Sequence, residues 1–121
     1  MKFMVVDDSM VIREQIENIL EGSRFDFVGS AKDGLEAVNE FRLLRPQLVT
    51  MDLTMPKMDG TETIRRMMRY DSSVRILVIS ALKDKATALR ALKFGAYGFL
   101  PKPFTSQELR IAIEKLVANM E

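Results

Sequence analysis

Five short apolar runs alternate along the chain with segments of helical period, and this alternation most constrains the fold. Arg75–Ile79 is apolar without polar alternation, which is typical of a strand buried on both faces. Strands that alternate with helices predict a parallel sheet with helices on both faces. The predicted strands are Phe3–Val6, Phe25–Gly29, Leu48–Met51, Arg75–Ile79 and Gly98–Leu100.

The helical segments repeat their apolar residues every three or four positions. Thr105 and Glu108 have the spacing of a capping box at the start of the last helix. We expect Met67 and Met68 to fill gaps in the core. The predicted helices are Val11–Leu20, Leu35–Leu44, Thr61–Tyr70, Lys83–Phe94 and Thr105–Met120. The connections are short, so one α/β domain is predicted over residues 1–121.

The 121-residue chain contains no Cys and no His. This excludes disulfides, Cys/His zinc sites and histidine acid–base chemistry. Any chemistry must use carboxylates, lysines, hydroxyls and a hard metal ion. No secretory signal and no membrane-spanning run are visible, so a cytoplasmic protein is expected.

Charge is distributed unevenly. Residues 1–60 carry 7 basic and 11 acidic side chains, and residues 61–121 carry 11 basic and 6 acidic ones. Two interpretations stay open: ordinary solvated helix faces, or an acidic pocket in the first half and a basic partner surface in the second. No dense basic patch of the kind that binds nucleic acid is present.

Polar residues follow four of the predicted strands. Each alone has an ordinary explanation, such as a helix cap at Asp8 or Ser80. In an open parallel sheet, however, the carboxyl ends of the strands form the ligand-binding edge, so together these residues predict a site. They are Asp7 and Asp8, Asp52, Ser80 and Lys102.

Three carboxylates at one edge would repel one another, and no Arg or His is obviously placed to compensate. A divalent cation would, and oxygen ligands suit Mg²⁺, with Mn²⁺ as an alternative. We expect Asp7 and Asp8 to hold the metal, Asp52 to act as a phosphoryl-accepting nucleophile, and Lys102 to clamp a phosphoryl oxygen. No glycine-rich nucleotide-binding motif follows the first strand.

The ordered motifs of the chain resemble those of the receiver domain of two-component response regulators, most closely the stand-alone, CheY-like chemotaxis type. The resemblance covers nearly the whole chain. It implies a flavodoxin-like doubly wound sheet, with strand order 2-1-3-4-5 and five helices on both faces. The motifs are Val5–Ser9, Ala31–Gly34 with Glu36-Ala37, Met51–Pro56 with Met58–Gly60, Ile79–Ala81, Gly95-Ala96 and Phe99–Phe104.

The resemblance implies that Asp52 receives a phosphoryl group from a sensor histidine kinase. It also implies that Asp8, Asp52 and, partly through water, Asp7 bind Mg²⁺ together with the backbone carbonyl of Thr54. Ser80 would move in to hydrogen-bond the phosphoryl group and Phe99 would rotate inward as a switch. The Lys102–Pro103 peptide bond would be cis.

The output would be a surface formed by the fourth helix, fifth strand and fifth helix, offered to a downstream protein such as a flagellar motor switch. The predicted basic residues of this surface are Lys83, Lys85, Arg90, Lys93 and Arg110. The resemblance implies a signalling phospho-acceptor that labels itself from small phosphodonors and dephosphorylates itself, rather than an enzyme. We expect a monomer, with a phosphorylation-dependent dimer as an alternative, and no direct contact with nucleic acid or membrane.

Two departures from the chemotaxis pattern affect the expected chemistry. Thr54 and Leu82 stand where those proteins usually carry Asn and an acidic residue, so slower self-dephosphorylation is predicted. A phospho-form lifetime of only seconds in Mg²⁺ would contradict this. The switch residue Phe99 has no hydroxyl, so the outward hydrogen bond that a tyrosine makes there is lost.

Alternative functions stay open. The chain is expected to be a complete single-domain regulator, but it could be a receiver trimmed from a longer regulator, or one acting in another phosphorelay or transcriptional pathway. A small aspartyl-phosphate phosphatase is disfavoured because Thr54 occupies the position of its second Asp. A purely structural receiver would lack the acceptor, and Asp52 is present.

Overall fold

In a computed structural model that describes residues 1–22, 24–53, 59–81 and 85–120, the chain forms a five-stranded parallel sheet with five helices. The strand order is β2-β1-β3-β4-β5, so the predicted fold class is confirmed. The strands are β1 Lys2–Val6, β2 Asp26–Ala31, β3 Leu48–Met51, β4 Arg75–Ser80 and β5 Gly98–Pro101. The helices are α1 Met10–Leu20, α2 Gly34–Leu44, α3 Gly60–Tyr70, α4 Lys85–Lys93 and α5 Ser106–Val117.

Two apolar cores lie on opposite faces of the sheet. Successive side chains of a strand point to opposite faces, so Phe3 and Val5 enter one core while Met4 and Val6 enter the other. Residues of α2, α3 and α4 cover the Met4 face, and residues of α1 and α5 cover the Phe3 face. Met67 is fully buried and Met68 packs against the same core, as expected.

Strand pairing and backbone geometry explain where β2 and α5 end relative to their predicted ranges. β2 runs to Ala31 because it stays paired with β1 as far as Val6, whereas Phe25 forms only an isolated bridge with Glu21. α5 ends at Val117 rather than Met120, since Asn119 adopts the left-handed conformation with φ of 73°. Met120 nevertheless packs against the core from beyond the helix.

Gly95 lies two residues beyond the end of α4. Its φ of 122° is a conformation that only glycine adopts without strain. A Cβ at this position would lie 2.5 Å from Cγ of Met68, so the absence of a side chain also lets this segment pack closely against α3. Among the described helices, none has the length and apolar character needed to cross a membrane.

Candidate functional site in the acidic pocket

Two carboxylates lie side by side because their strands are neighbours. β1 pairs in parallel with β3, with Val6 opposite Met51, so Asp7 and Asp52 follow at matching positions. The Asp52 amide donates to the Val6 carbonyl at 2.9 Å. The Asp7 amide donates to the Ala31 carbonyl at 3.0 Å. Both side chains are therefore fixed by backbone pairing at the carboxyl edge of the sheet.

Asp8 completes a cluster of three carboxylates. One oxygen from each of Asp7, Asp8 and Asp52 lies within 4.8 Å of the others. Asp7 and Asp52 are buried, whereas Asp8 is exposed. The cluster therefore opens to solvent on one side, where a small ion or group could enter.

Lys102 reaches into this cluster from the end of β5. Its Nζ donates to Asp7 Oδ2 at 2.8 Å and to Asp52 Oδ2 at 3.3 Å. Its backbone amide donates to the Ser80 carbonyl at 3.1 Å, which fixes the segment against β4. The Lys102–Pro103 peptide bond is cis, as expected.

Burial sets the electrostatics of the pocket. Desolvation raises the pKa of Asp7 above 3.8, although the hydrogen bonds from Lys102 and from the Ser9 amide oppose the rise. Burial alone would lower the pKa of the Lys102 ammonium, but the Asp7 hydrogen bond and the charge of Asp52 raise it above 10.5. Lys102 is therefore held as a cation between the two carboxylates.

Two contacts at Asp7 were not predicted from the sequence. The Ser9 amide donates to Asp7 Oδ1 at 2.9 Å, and Arg13 Nη1 donates to the Asp7 carbonyl at 2.6 Å. Arg13 thus contacts the backbone of Asp7, whereas Lys102 is the cation that contacts the Asp7 and Asp52 carboxylates. Arg13 lies in the first turn of α1, after the N-cap Ser9.

A glycine at the start of α3 lets this helix approach the backbone that follows β3. A Cβ on Gly60 would lie 2.5 Å from Leu53 Cα and 3.1 Å from the Asp52 carbonyl oxygen. Asp59 caps the helix by accepting from the Glu62 amide at 2.9 Å and from the Thr61 hydroxyl at 2.6 Å. Within the Met58-Asp59-Gly60 motif, Asp59 thus supplies the helix cap and Gly60 allows a close backbone contact beside Asp52.

Comparison with known proteins identifies the family. Residues 3–114 match the profile of the response regulator receiver domain. The chain belongs to this family. Chemotaxis protein CheY of Listeria monocytogenes is 39% identical over 115 residues, which are 95% of this chain and 97% of that protein.

Two solved structures extend the comparison of this receiver domain. A CheX–CheY–BeF3–Mg complex from Borrelia burgdorferi shows 30% identity and a TM-score of 0.92, covering 98% of this chain and 90% of that one. A LuxR-family response regulator from an Aurantimonas species shows 35% identity and a TM-score of 0.89, covering 97% of this chain and 84% of that one.

The two predicted switch residues of the receiver differ in exposure. Ser80 is fully buried at the end of β4. Phe99 is half-buried, packs against the core that α4 covers, and lines a groove of about 450 Å³ between β5 and α5. Thr54 and Leu82 lie outside the described residues, so the carbonyl predicted as a metal ligand stays a prediction.

The predicted basic surface on α4, β5 and α5 needs correction. Arg110 lines a groove with Ile19 and Glu21 of the α1 side, because it lies on the side of α5 opposite the residues that face β5. Arg90 faces α3, where its charge contributes to lowering the pKa of Asp59. Lys93 is exposed. Lys83 and the Lys85 side chain lie outside the described residues.

The pocket of this receiver fits a hard divalent cation. Its donors are three carboxylates, and the chain has no His or Cys to offer softer ligands. The exposed Asp8 leaves a side open for the water molecules that such ions retain. These residues could therefore bind a metal ion beside Asp52.

Proposed function

We propose that Asp52 accepts a phosphoryl group from a sensor histidine kinase and that this modification changes the α4–β5–α5 surface for a downstream protein. One observation carries the proposal. Asp7, Asp8 and Asp52 converge within 4.8 Å, and the Lys102 ammonium lies 3.3 Å from Asp52. An acceptor carboxylate, a candidate metal site and a fixed cation thus meet at one edge of the sheet.

In the proposed transfer, a carboxylate oxygen of Asp52 attacks the phosphorus of a phosphohistidine on the kinase. A P–O bond forms, the P–N bond breaks, and the leaving imidazole keeps the electron pair and takes a proton from water. Lys102, already hydrogen-bonded to Asp52, neutralises charge on the incoming oxygens. Mg²⁺ or Mn²⁺ held by Asp7, Asp8 and Asp52, with the Thr54 carbonyl, would supply further charge neutralisation.

The proposed output follows from the position of Ser80 and Phe99. Ser80 ends β4 and its carbonyl accepts from the Lys102 amide, and Phe99 lies half-buried on the neighbouring strand β5. A phosphoryl group that hydrogen-bonds an inward Ser80 would favour the conformation with Phe99 turned inward. The protein would act as a signalling phospho-acceptor with self-labelling and self-dephosphorylation, rather than as an enzyme.

Chemotaxis or motility signalling in the cytoplasm is the pathway we propose, with the flagellar motor switch as one target. The similarity to chemotaxis protein CheY over 97% of that protein supports it. A receiver in another phosphorelay or transcriptional pathway is the alternative, supported by the likeness to a LuxR-family regulator. We propose a monomer that binds neither nucleic acid nor membrane, with a phosphorylation-dependent dimer as an alternative.

Intact-mass measurement after incubation with Mg²⁺ and acetyl phosphate tests the acceptor. The wild-type chain should gain one phosphoryl group, and Asp52→Asn should gain none. Asp26→Asn is the matched control, because Asp26 is an exposed carboxylate at the start of β2. Equal labelling of the wild type and Asp52→Asn would contradict the proposal. Steady turnover of a phosphomonoester would instead support the phosphatase alternative.

A further inference from the structure

Arginine side chains concentrate in a groove between α2 and α3, away from the acidic pocket. The groove has a volume of about 340 Å³. Its cationic side chains are all arginine, one from α2 and three from α3, and the described part of the chain places no lysine there. The lining residues are Val38, Arg42, Glu62, Arg65, Arg66, Arg69 and Tyr70.

The two walls of the groove are held together by packing. The Arg42 guanidinium of α2 lies 5.2 Å from the centre of the Tyr70 ring of α3, within range of a cation–π contact. Phe41 and Met67, neighbours of the groove on the inner faces of the helices, are buried in one core. The groove is therefore a built feature of the fold rather than a chance meeting of mobile side chains.

The acidic residue in the groove balances only part of the arginine charge. Glu62 contacts Arg66 at 3.0 Å and Arg65 at 3.5 Å, while both arginine side chains stay about half exposed. Each guanidinium has five N–H donors, so most donors of the four arginines face solvent or the groove. Such a surface favours a ligand that brings carboxylates or phosphates.

The spacing of the arginines indicates the shape of the ligand. Arg65 and Arg66 each lie one turn before Arg69 on α3, and four residues of a helix span about 6 Å. Carboxylates on successive turns of a partner helix have the same spacing. Arginine also pairs with carboxylates through two parallel hydrogen bonds, which lysine does not.

We propose that this arginine groove docks an acidic helical segment of a partner protein, through glutamate or aspartate side chains on successive turns. A nucleic acid is less suited to it. Binding of that class needs many phosphate contacts over a broad basic surface, whereas this groove is short and the chain's net charge is only +1. The site is separate from Asp52 and independent of the proposed phosphorylation.

Fluorescence anisotropy with a labelled alanine-based helical peptide carrying glutamates in three successive turns tests the proposal. We expect binding that weakens with added salt and weakens at least about tenfold in the variant Arg65→Gln, Arg66→Gln, Arg69→Gln, since each exposed pair contributes modestly. The same peptide with glutamine in place of glutamate should not bind. Circular dichroism and thermal unfolding verify that the variant is folded.

The matched control removes the same charge elsewhere, as Lys93→Gln, Arg110→Gln, Lys115→Gln, and should keep wild-type affinity. Amide shifts in a titration of ¹⁵N-labelled protein should fall on α2 and α3. An equal loss in both triple variants, shifts on other elements, or no binding would overturn the proposal. Tighter binding of a single-stranded DNA oligonucleotide would overturn it in favour of a nucleic-acid site.

Discussion

At the scale of single residues, Lys102 makes the buried carboxylate pair tolerable. Asp7 and Asp52 are buried side by side, and each loses hydration that only a positive charge or hydrogen bonds can replace. Lys102 donates to both of them. The same ammonium thus has a structural role in addition to its role in the proposed phosphorylation.

Replacing Lys102 with Met should therefore destabilise the metal-free protein by about 2 kcal/mol at neutral pH, the magnitude of a charge-assisted hydrogen bond. The pKa of Asp7 lies above its unfolded value of 3.8. The free energy of unfolding therefore decreases as the pH rises from 3.8 through the folded-state pKa of Asp7. Without Lys102 this pKa rises further. In urea unfolding with EDTA, Lys102→Met should lose less free energy of unfolding at about pH 4.5 than at about pH 7. A loss that does not change with pH would contradict this account.

A second residue-scale prediction concerns two buried threonines. Among the described residues, Oγ1 of Thr50 is buried without a hydrogen-bond partner, whereas Oγ1 of Thr63 donates to the Asp59 carbonyl at 3.0 Å. Thr50→Val should raise the free energy of unfolding by up to about 1 kcal/mol, and Thr63→Val should lower it by about 1 kcal/mol. Chemical denaturation of both variants measures the contrast. Equal effects would show that the Thr50 hydroxyl is satisfied in solution.

At the scale of elements, side-chain caps define where the helices begin. Ser9, Asp33, Asp59 and Thr105 each accept a hydrogen bond from a backbone amide of the following first turn. The capping box of Thr105 and Glu108, predicted from spacing, is present. These four helices start at the carboxyl edge of the sheet, where the acidic pocket lies.

Asp59→Ala should cost about 1 kcal/mol of stability, the usual value of an N-cap. The hydrogen bond from the Thr61 hydroxyl, followed by that from the Glu62 amide, lowers the pKa of Asp59 below 3.8. Its stabilisation is therefore present above pH 3.8 and lost as the pH falls through the folded-state pKa. Urea unfolding should show the difference between Asp59→Ala and wild type shrinking in acid. Asp59→Asn should retain much of the capping at neutral pH.

Local signals predicted the elements better than their ends. The five strands and five helices follow from the sequence, because strands buried on both faces form short apolar runs and helices repeat their apolar residues with a period of 3.6. The end of β2 at Ala31 depends on pairing with Val6, a contact between distant parts of the chain that no local pattern contains. The side of α5 that carries Arg110 likewise depends on how the helix is rotated against β5 and α1.

For the site, the sequence predicted which residues meet but not their detailed contacts. Strand order brings Asp7, Asp52 and Lys102 to one edge, so their convergence follows from topology. Two details depend on side-chain conformations and could not be predicted. Lys102 lies closer to Asp7 than to Asp52, and Arg13 donates a hydrogen bond to the Asp7 carbonyl.

At the scale of the whole molecule, the acidic pocket exists only in the folded chain. Asp7 and Lys102 are 95 residues apart in sequence and meet because β1 and β5 end at the same edge of one sheet. The unfolded chain does not hold Asp7, Asp8 and Asp52 within one site. A cation that binds this cluster should therefore bind the folded state and stabilise it by mass action.

Mg²⁺ should raise the free energy of unfolding in proportion to the logarithm of its concentration, by about 1.4 kcal/mol at ten times its dissociation constant. Because burial raises the pKa of Asp7 above 3.8, protons compete with the cation, and this stabilisation should shrink as the pH falls towards that pKa. Thermal unfolding across a Mg²⁺ series measures both effects. Asp8→Asn removes an exposed ligand without disturbing the core, so it should fold normally and lose most of the Mg²⁺ dependence. If Asp8→Asn responds to Mg²⁺ as strongly as the wild type does, the cation binds elsewhere on the molecule.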